Sequence, residues 1–92
     1  MSRAFVREEG GEQDRPRRAY HLPPRDDPGY DTAAARALLE GARIGDTAGA
    51  EEATGYAWGA TELRPHVEQI LRWAEDEGDE RLEQVARRYL RA

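Results

Sequence analysis

The 92-residue chain has no cysteine, no lysine and a single serine, Ser2. Without thiols there is no disulfide, no thiolate zinc site and no cysteine nucleophile, a usage that fits a reducing compartment. Ser2 sits among charged residues with no rigid frame beside a base, which excludes serine-triad hydrolysis. Long apolar runs are missing as well. The opening Met1-Ser2-Arg3-Ala4-Phe5-Val6-Arg7-Glu8-Glu9 is too polar for a signal peptide or a membrane span, so a cytoplasmic protein without membrane contact is expected. Alternating β-branched residues are absent, which argues against a sheet. No glycine-rich loop follows a strand and no GK[ST] string occurs, so a phosphate cradle of the familiar kind is not encoded.

What is present is charge, unevenly spread. The net charge is −5. Up to Gly29 six arginines balance six acidic residues, and from Tyr30 onward eight arginines face thirteen, so the second part carries the whole excess. An acidic body does not attract phosphate backbones. Arg15-Pro16-Arg17-Arg18, near Tyr20 and His21, is a basic cluster able to touch nucleic acid, but Glu8, Glu9, Glu12, Asp14, Asp26 and Asp27 surround it. Direct nucleic-acid binding is therefore not expected. That every basic residue is arginine is the mark of a GC-rich codon bias before it is a mark of function.

Residues 1–29 hold Gly10-Gly11, Pro16, Pro23-Pro24 and Pro28-Gly29 among dense charges, with few apolar residues to offset the entropy of ordering. The reading is a disordered or extended tail over 1–29 and a helical domain over 30–92. Phe5-Val6 and Tyr20-His21-Leu22 are short apolar islands, suited to docking on the body or on another protein.

From Asp31 the texture becomes helical, and glycine punctuates it. Gly45 precedes Asp46 and Thr47, Gly59 precedes Thr61, and Gly78 precedes Asp79, a pattern in which glycine closes one helix and Asp or Thr caps the next. Four helices are predicted, over about 31–44, 48–58, 62–77 and 79–91. The third and fourth show apolar stripes: Leu63, Val67, Ile70, Leu71 and Ala74, then Leu82, Val85, Ala86, Tyr89 and Leu90. Pro65 falls in a first turn, where its missing amide costs little. Glu83 and Arg87 form an i, i+4 pair. The second helix is weakened by Gly49 and Gly55, each worth about 0.5–1 kcal/mol against alanine. It is expected to be short, held by the packing of Ala50, Ala53, Ala57 and Trp58.

A faint repeat supports stacked hairpins. Leu39 and Ala42 recur as Leu71 and Ala74, Gly45-Asp46 as Gly78-Asp79, and Ala53 and Tyr56 as Ala86 and Tyr89, a period typical of helix-pair units. The fold class is accordingly all-α, a small bundle of four short helices in two hairpins. So small a body has a thin margin of stability, which makes a homodimer one natural way to add to it.

Chemistry-bearing clusters are sparse. His66 lies one turn after Glu62, but no further ligands are spaced to complete a metal site. The run Glu75-Asp76-Glu77-Gly78-Asp79-Glu80 lacks the ligand order of a calcium loop and reads as a solvated turn between helices. No catalytic, cofactor-binding or metal-binding residue is therefore assigned, and the chain is read as non-enzymatic. The aromatics Tyr56, Trp58, Trp73 and Tyr89 are expected chiefly in the core, any left on the surface marking an interface.

Two stretches resemble the Gre-type transcription elongation factors. Met1 to Glu9 looks like the start of short Gre-related proteins. Gly55-Tyr56-Ala57-Trp58-Gly59, with Leu63, Arg64 and Ile70, is similar to the start of the second arm of their coiled coil, which would set Gly45-Asp46 at the acidic tip. The resemblance implies RNA polymerase as a partner, reached through the secondary channel. It does not imply transcript cleavage, because Gly49 stands where the family carries a second acidic residue. Two functional readings follow: a helical protein-interaction module acting as adaptor or regulator, and a Gre-related regulator of RNA polymerase. The residues assigned to partner contact are Phe5, Val6, Tyr56, Trp58 and Trp73.

Overall fold

In the computed structural model, which describes residues 20–92, the body is built from helices, and no strand occurs among the described residues. Helix α1 spans Tyr30–Arg43, α2 Thr47–Thr54, α3 Arg64–Glu77 and α4 Glu80–Leu90, with a 3-10 turn at Thr61–Leu63 leading into α3. Helices α1 and α2 form one hairpin, α3 and α4 the other, and α1 packs against both members of the second. This is the all-α bundle of two hairpins that the sequence predicts.

The core lies where the stripes converge. Ala34, Ala35, Leu38 and Leu39 of α1 meet Leu63, Val67, Ile70 and Ala74 from the α3 side and Leu82, Val85, Ala86 and Tyr89 of α4, all of them buried. The α3–α4 junction is self-sufficient. Gly78 takes φ +73°, the Asp79 amide donates to the Ala74 carbonyl at 2.9 Å, and the Asp79 carboxylate accepts from the Leu82 amide at 3.2 Å. A left-handed residue is thus followed at once by a side-chain cap, leaving few orphan backbone groups at the join. Arg87 adds Glu83 at 3.2 Å and Glu75 of α3 at 2.7 Å.

The other expected caps differ. Asp46 precedes α2 but makes no side-chain bond to that helix's amides, and Thr61 opens a 3-10 turn with no side-chain cap at all. The Asp46 carboxylate has another partner: it accepts from the Tyr20 hydroxyl at 2.9 Å. It also lies against the bare Cα of Gly49. That close approach is why glycine is found there in spite of its helical penalty. Helix α2 ends at Thr54, four residues before the predicted end, because Gly55 adopts φ +80°.

The segment from Tyr20 to Gly29 has no helix, yet it is tied to α2 at both ends. Tyr20 is buried, and of its neighbours Leu22 packs partly against the core while His21 stays exposed. At the far end the Thr54 carbonyl accepts from the Tyr30 hydroxyl at 2.8 Å and from the Arg25 guanidinium at 3.3 Å. These side chains satisfy a helix-terminal carbonyl that has no partner within its own helix. The Tyr20-His21-Leu22 island is docked on the body; Phe5-Val6 lies outside the described residues.

Burial, joined by the Asp46 hydrogen bond, pushes the Tyr20 phenol up from 10.0 to about 12. A raised folded-state value means the folded protein holds this proton more tightly than the unfolded chain. The Tyr20 contribution to stability is therefore complete below pH 10 and is lost as pH rises toward 12. Tyrosinate absorbance near 295 nm should show late-titrating phenols, of which the one near pH 12 disappears in Tyr20→Phe. Titration of that phenol at the ordinary tyrosine value in the folded wild type would contradict the buried Tyr20–Asp46 contact.

Candidate interaction surface

The four aromatics read from the sequence divide sharply. Tyr89 is fully buried, with its hydroxyl donating to the Ala60 carbonyl at 2.8 Å. Trp58 meets it edge-on, ring centroids 4.9 Å apart at 66°, and its backbone amide donates to Glu51 of α2 at 2.8 Å. Tyr56 is half-buried and donates to the Asp31 carboxylate at 2.7 Å, a bond that with some burial raises its pKa. Trp58 and Tyr56 thus anchor the α2–α3 connection to the bundle.

Trp73 is different. It stands 47% exposed on the outer face of α3, and the Arg36 guanidinium of α1 lies over its ring at 5.4 Å from the centroid. No ring contact joins it to Trp58. Position 73 falls outside the buried stripe of Val67, Ile70 and Ala74, so the helical period itself turns the indole outward.

Arg36 also forms one wall of a groove along α1. Tyr20 and His21 from the leading segment face Ala33, Arg36, Ala37 and Glu40, enclosing about 300 Å³. Ala33, Arg36, Ala37 and Glu40 fall at i, i+3, i+4 and i+7, one face of the helix. The docked leading segment converts that face into a groove. A second cleft, of about 240 Å³, lies at the C-terminal end of α1, where Ala42 and Arg43 meet Arg81, Gln84, Val85 and Arg88 of α4. Ile44, 56% exposed, follows directly in the chain.

His66 is bonded to Thr32 across the α1–α3 contact, Oγ1 to Nδ1 at 3.1 Å, and it lines neither cavity. Among the described residues no three histidine, aspartate or glutamate side chains gather as metal ligands, and no helix is long and apolar enough to cross a membrane. The acidic run is a helix junction: Glu75 pairs with Arg87 and Asp79 caps α4.

Of the assigned partner-contact residues, then, Trp73 is at the surface, Tyr56 and Trp58 are packed partly against the core, and Phe5 and Val6 lie outside the described residues. Arg36 and the Tyr20–His21 wall were not foreseen. Arg36 stands on the same face as Ala33 and Ala37, a pattern legible in the sequence, but its place over Trp73 depends on how α1 crosses α3.

Comparison with protein-family models, with curated proteins and with solved structures finds no match for this chain.

Proposed function

We propose that the protein is a non-enzymatic helical interaction module, an adaptor or regulator that binds a protein partner through the surface around Trp73 and Arg36. The observation that carries this reading is the exposure of Trp73 on a rigid helix beside an arginine. Tryptophan and arginine are the residues most enriched among those that dominate binding energy at protein interfaces. A large aromatic left out of the core of so small a body forgoes stabilisation that the fold could have used. The adjoining groove supplies an apolar floor in Ala33 and Ala37 with charged rims in Arg36 and Glu40.

The test is affinity capture from the native organism with wild type and Trp73→Ala in parallel. Truncating a residue already half in solvent should leave the melting temperature within a few degrees. A protein enriched by wild type should be lost, or reduced at least ~10-fold, with the variant, in keeping with a hot-spot truncation above ~1.4 kcal/mol. Identical captures from the two proteins would overturn the reading. RNA polymerase, the partner implied by the Gre resemblance, would be recognised directly among the captured proteins.

A further inference from the structure

We infer that the cleft between the end of α1 and α4 is a docking site for an acidic peptide segment of a protein partner. This deepens the interaction-module reading and rests on it. Three guanidinium-bearing side chains, Arg43, Arg81 and Arg88, line the cleft together with Ala42, Gln84 and Val85. Arg43 is bridged to Glu40 at 3.3 Å, an exposed contact. Arg81 and Arg88 have no acidic partner among the described residues, whereas Arg87 between them on the helix is paired twice. On a body where acids outnumber arginines, this is a local concentration of unspent positive charge.

The geometry favours a peptide over other anions. Arg81, Gln84, Val85 and Arg88 form one stripe at i, i+3, i+4 and i+7, which sets the two arginines about 10 Å apart along the helix axis. An extended polyproline-II-like peptide brings every third side chain to one side at roughly 9 Å intervals, so two carboxylates three residues apart match that spacing. Between the arginines lie Gln84, Ala42 and the buried Val85, so the cleft presents mainly polar and charged surface, and exposed Ile44 follows Arg43 in the chain. Ile44 adds an aliphatic contact beside Arg43 that a peptide can use and free phosphate cannot. A long nucleic acid would have to run across the acidic remainder of the body, where its phosphates are repelled.

The experiment is an amide chemical-shift titration of the full chain with the synthetic peptide Glu-Leu-Ala-Glu-Leu-Ala-Glu. Its glutamine counterpart, inorganic phosphate and a single-stranded oligonucleotide serve as separate arms. The acidic peptide should shift Arg43, Gln84, Val85 and Arg88, and should do so less at high salt because exposed charges are screened. The Arg81→Gln, Arg88→Gln double variant, altered only at exposed positions, should keep its helical spectrum and lose at least ~10-fold in affinity, the scale of about 1.4 kcal/mol. Equal binding of the glutamine peptide, equal shifts with phosphate or oligonucleotide, or shifts confined to the Arg36–Trp73 surface would each overturn the assignment. So would occupation of the cleft by the 75–80 turn of a second copy, seen as concentration-dependent shifts without peptide. Trp73→Ala should leave this peptide binding intact, which separates failure of the cleft from failure of the Trp73 surface.

Discussion

Tyr89→Ala should unfold the body or leave it barely folded at room temperature. Tyr89 is among the largest fully buried side chains, and it joins the last turn of α4 to the connection before α3 through both its ring and its hydroxyl. Truncating a buried aromatic costs about 3–5 kcal/mol. A domain of this size has a total stability near the lower end of the usual range, about 5 kcal/mol. Losing the ring also releases Trp58, whose edge rests on it. Tyr89→Phe separates the two contributions: it keeps the packing and removes the donor to the part-buried Ala60 carbonyl, at about 0.5–1.5 kcal/mol. At roughly 4–8 °C per kcal/mol, the phenylalanine variant should melt several degrees below wild type and the alanine variant should show no cooperative transition well above room temperature. Circular dichroism at 222 nm reads both. An alanine variant melting within a few degrees of wild type would mean that Tyr89 is not the keystone of this end of the bundle.

Gly41→Leu should separate the first hairpin. On a helix propensity argument alone, replacing Gly41, in the last turn of α1, with a better helix former gains up to about 1 kcal/mol. The tertiary structure reverses the sign. A Cβ at position 41 would lie 2.6 Å from the Ala50 Cβ, 2.9 Å from the Asp46 carbonyl oxygen and 3.0 Å from the Tyr20 hydroxyl. Two of those neighbours belong to α2 and its entry, so relief requires α2 to move off α1. Overpacking of this kind costs about 1–3 kcal/mol for small additions. Gly41→Ala should therefore be net destabilising, and leucine, with three more carbons, should cost more than alanine and expose Tyr20. Urea unfolding measures the order wild type, alanine, leucine. A Gly41→Ala protein more stable than wild type would show that the α1–α2 contact is looser than the packed geometry requires.

The legible part of the fold is the part built from local rules. The apolar stripes of α3 and α4, the Gly78-Asp79 junction and Pro65 in the first turn are each written within a few residues, and each is found in place. The repeat points correctly to two hairpins, although its equivalent positions are not equally buried: Tyr89 is enclosed while its counterpart Tyr56 is half-open. Less legible was everything settled by contacts distant in sequence. Asp46 looks like a cap until Tyr20, twenty-six residues earlier, takes its carboxylate. Gly49 looks like a helix weakness until the Asp46 carboxylate that needs its missing side chain is seen. The same holds for the surface. Trp73, expected in the core with the other aromatics, stands outward because it falls off the buried stripe of its helix, and the grouping of Arg43 with Arg81 and Arg88 depends on a helix crossing that no single stretch encodes.

Helix α2 has eight residues, fewer than an isolated helix needs to persist in water. Its two ends are held by Tyr20, Arg25 and Tyr30. The first hairpin is therefore conditional, while the second carries its own caps and ion pairs. A ribosome delivers these units in the opposite order, the dependent half emerging before the half that shields Leu38 and Leu39 has been made. During synthesis the chain passes through an interval with the core face of α1 uncovered, and the packing of α3 and α4 onto that face is what ends the exposure.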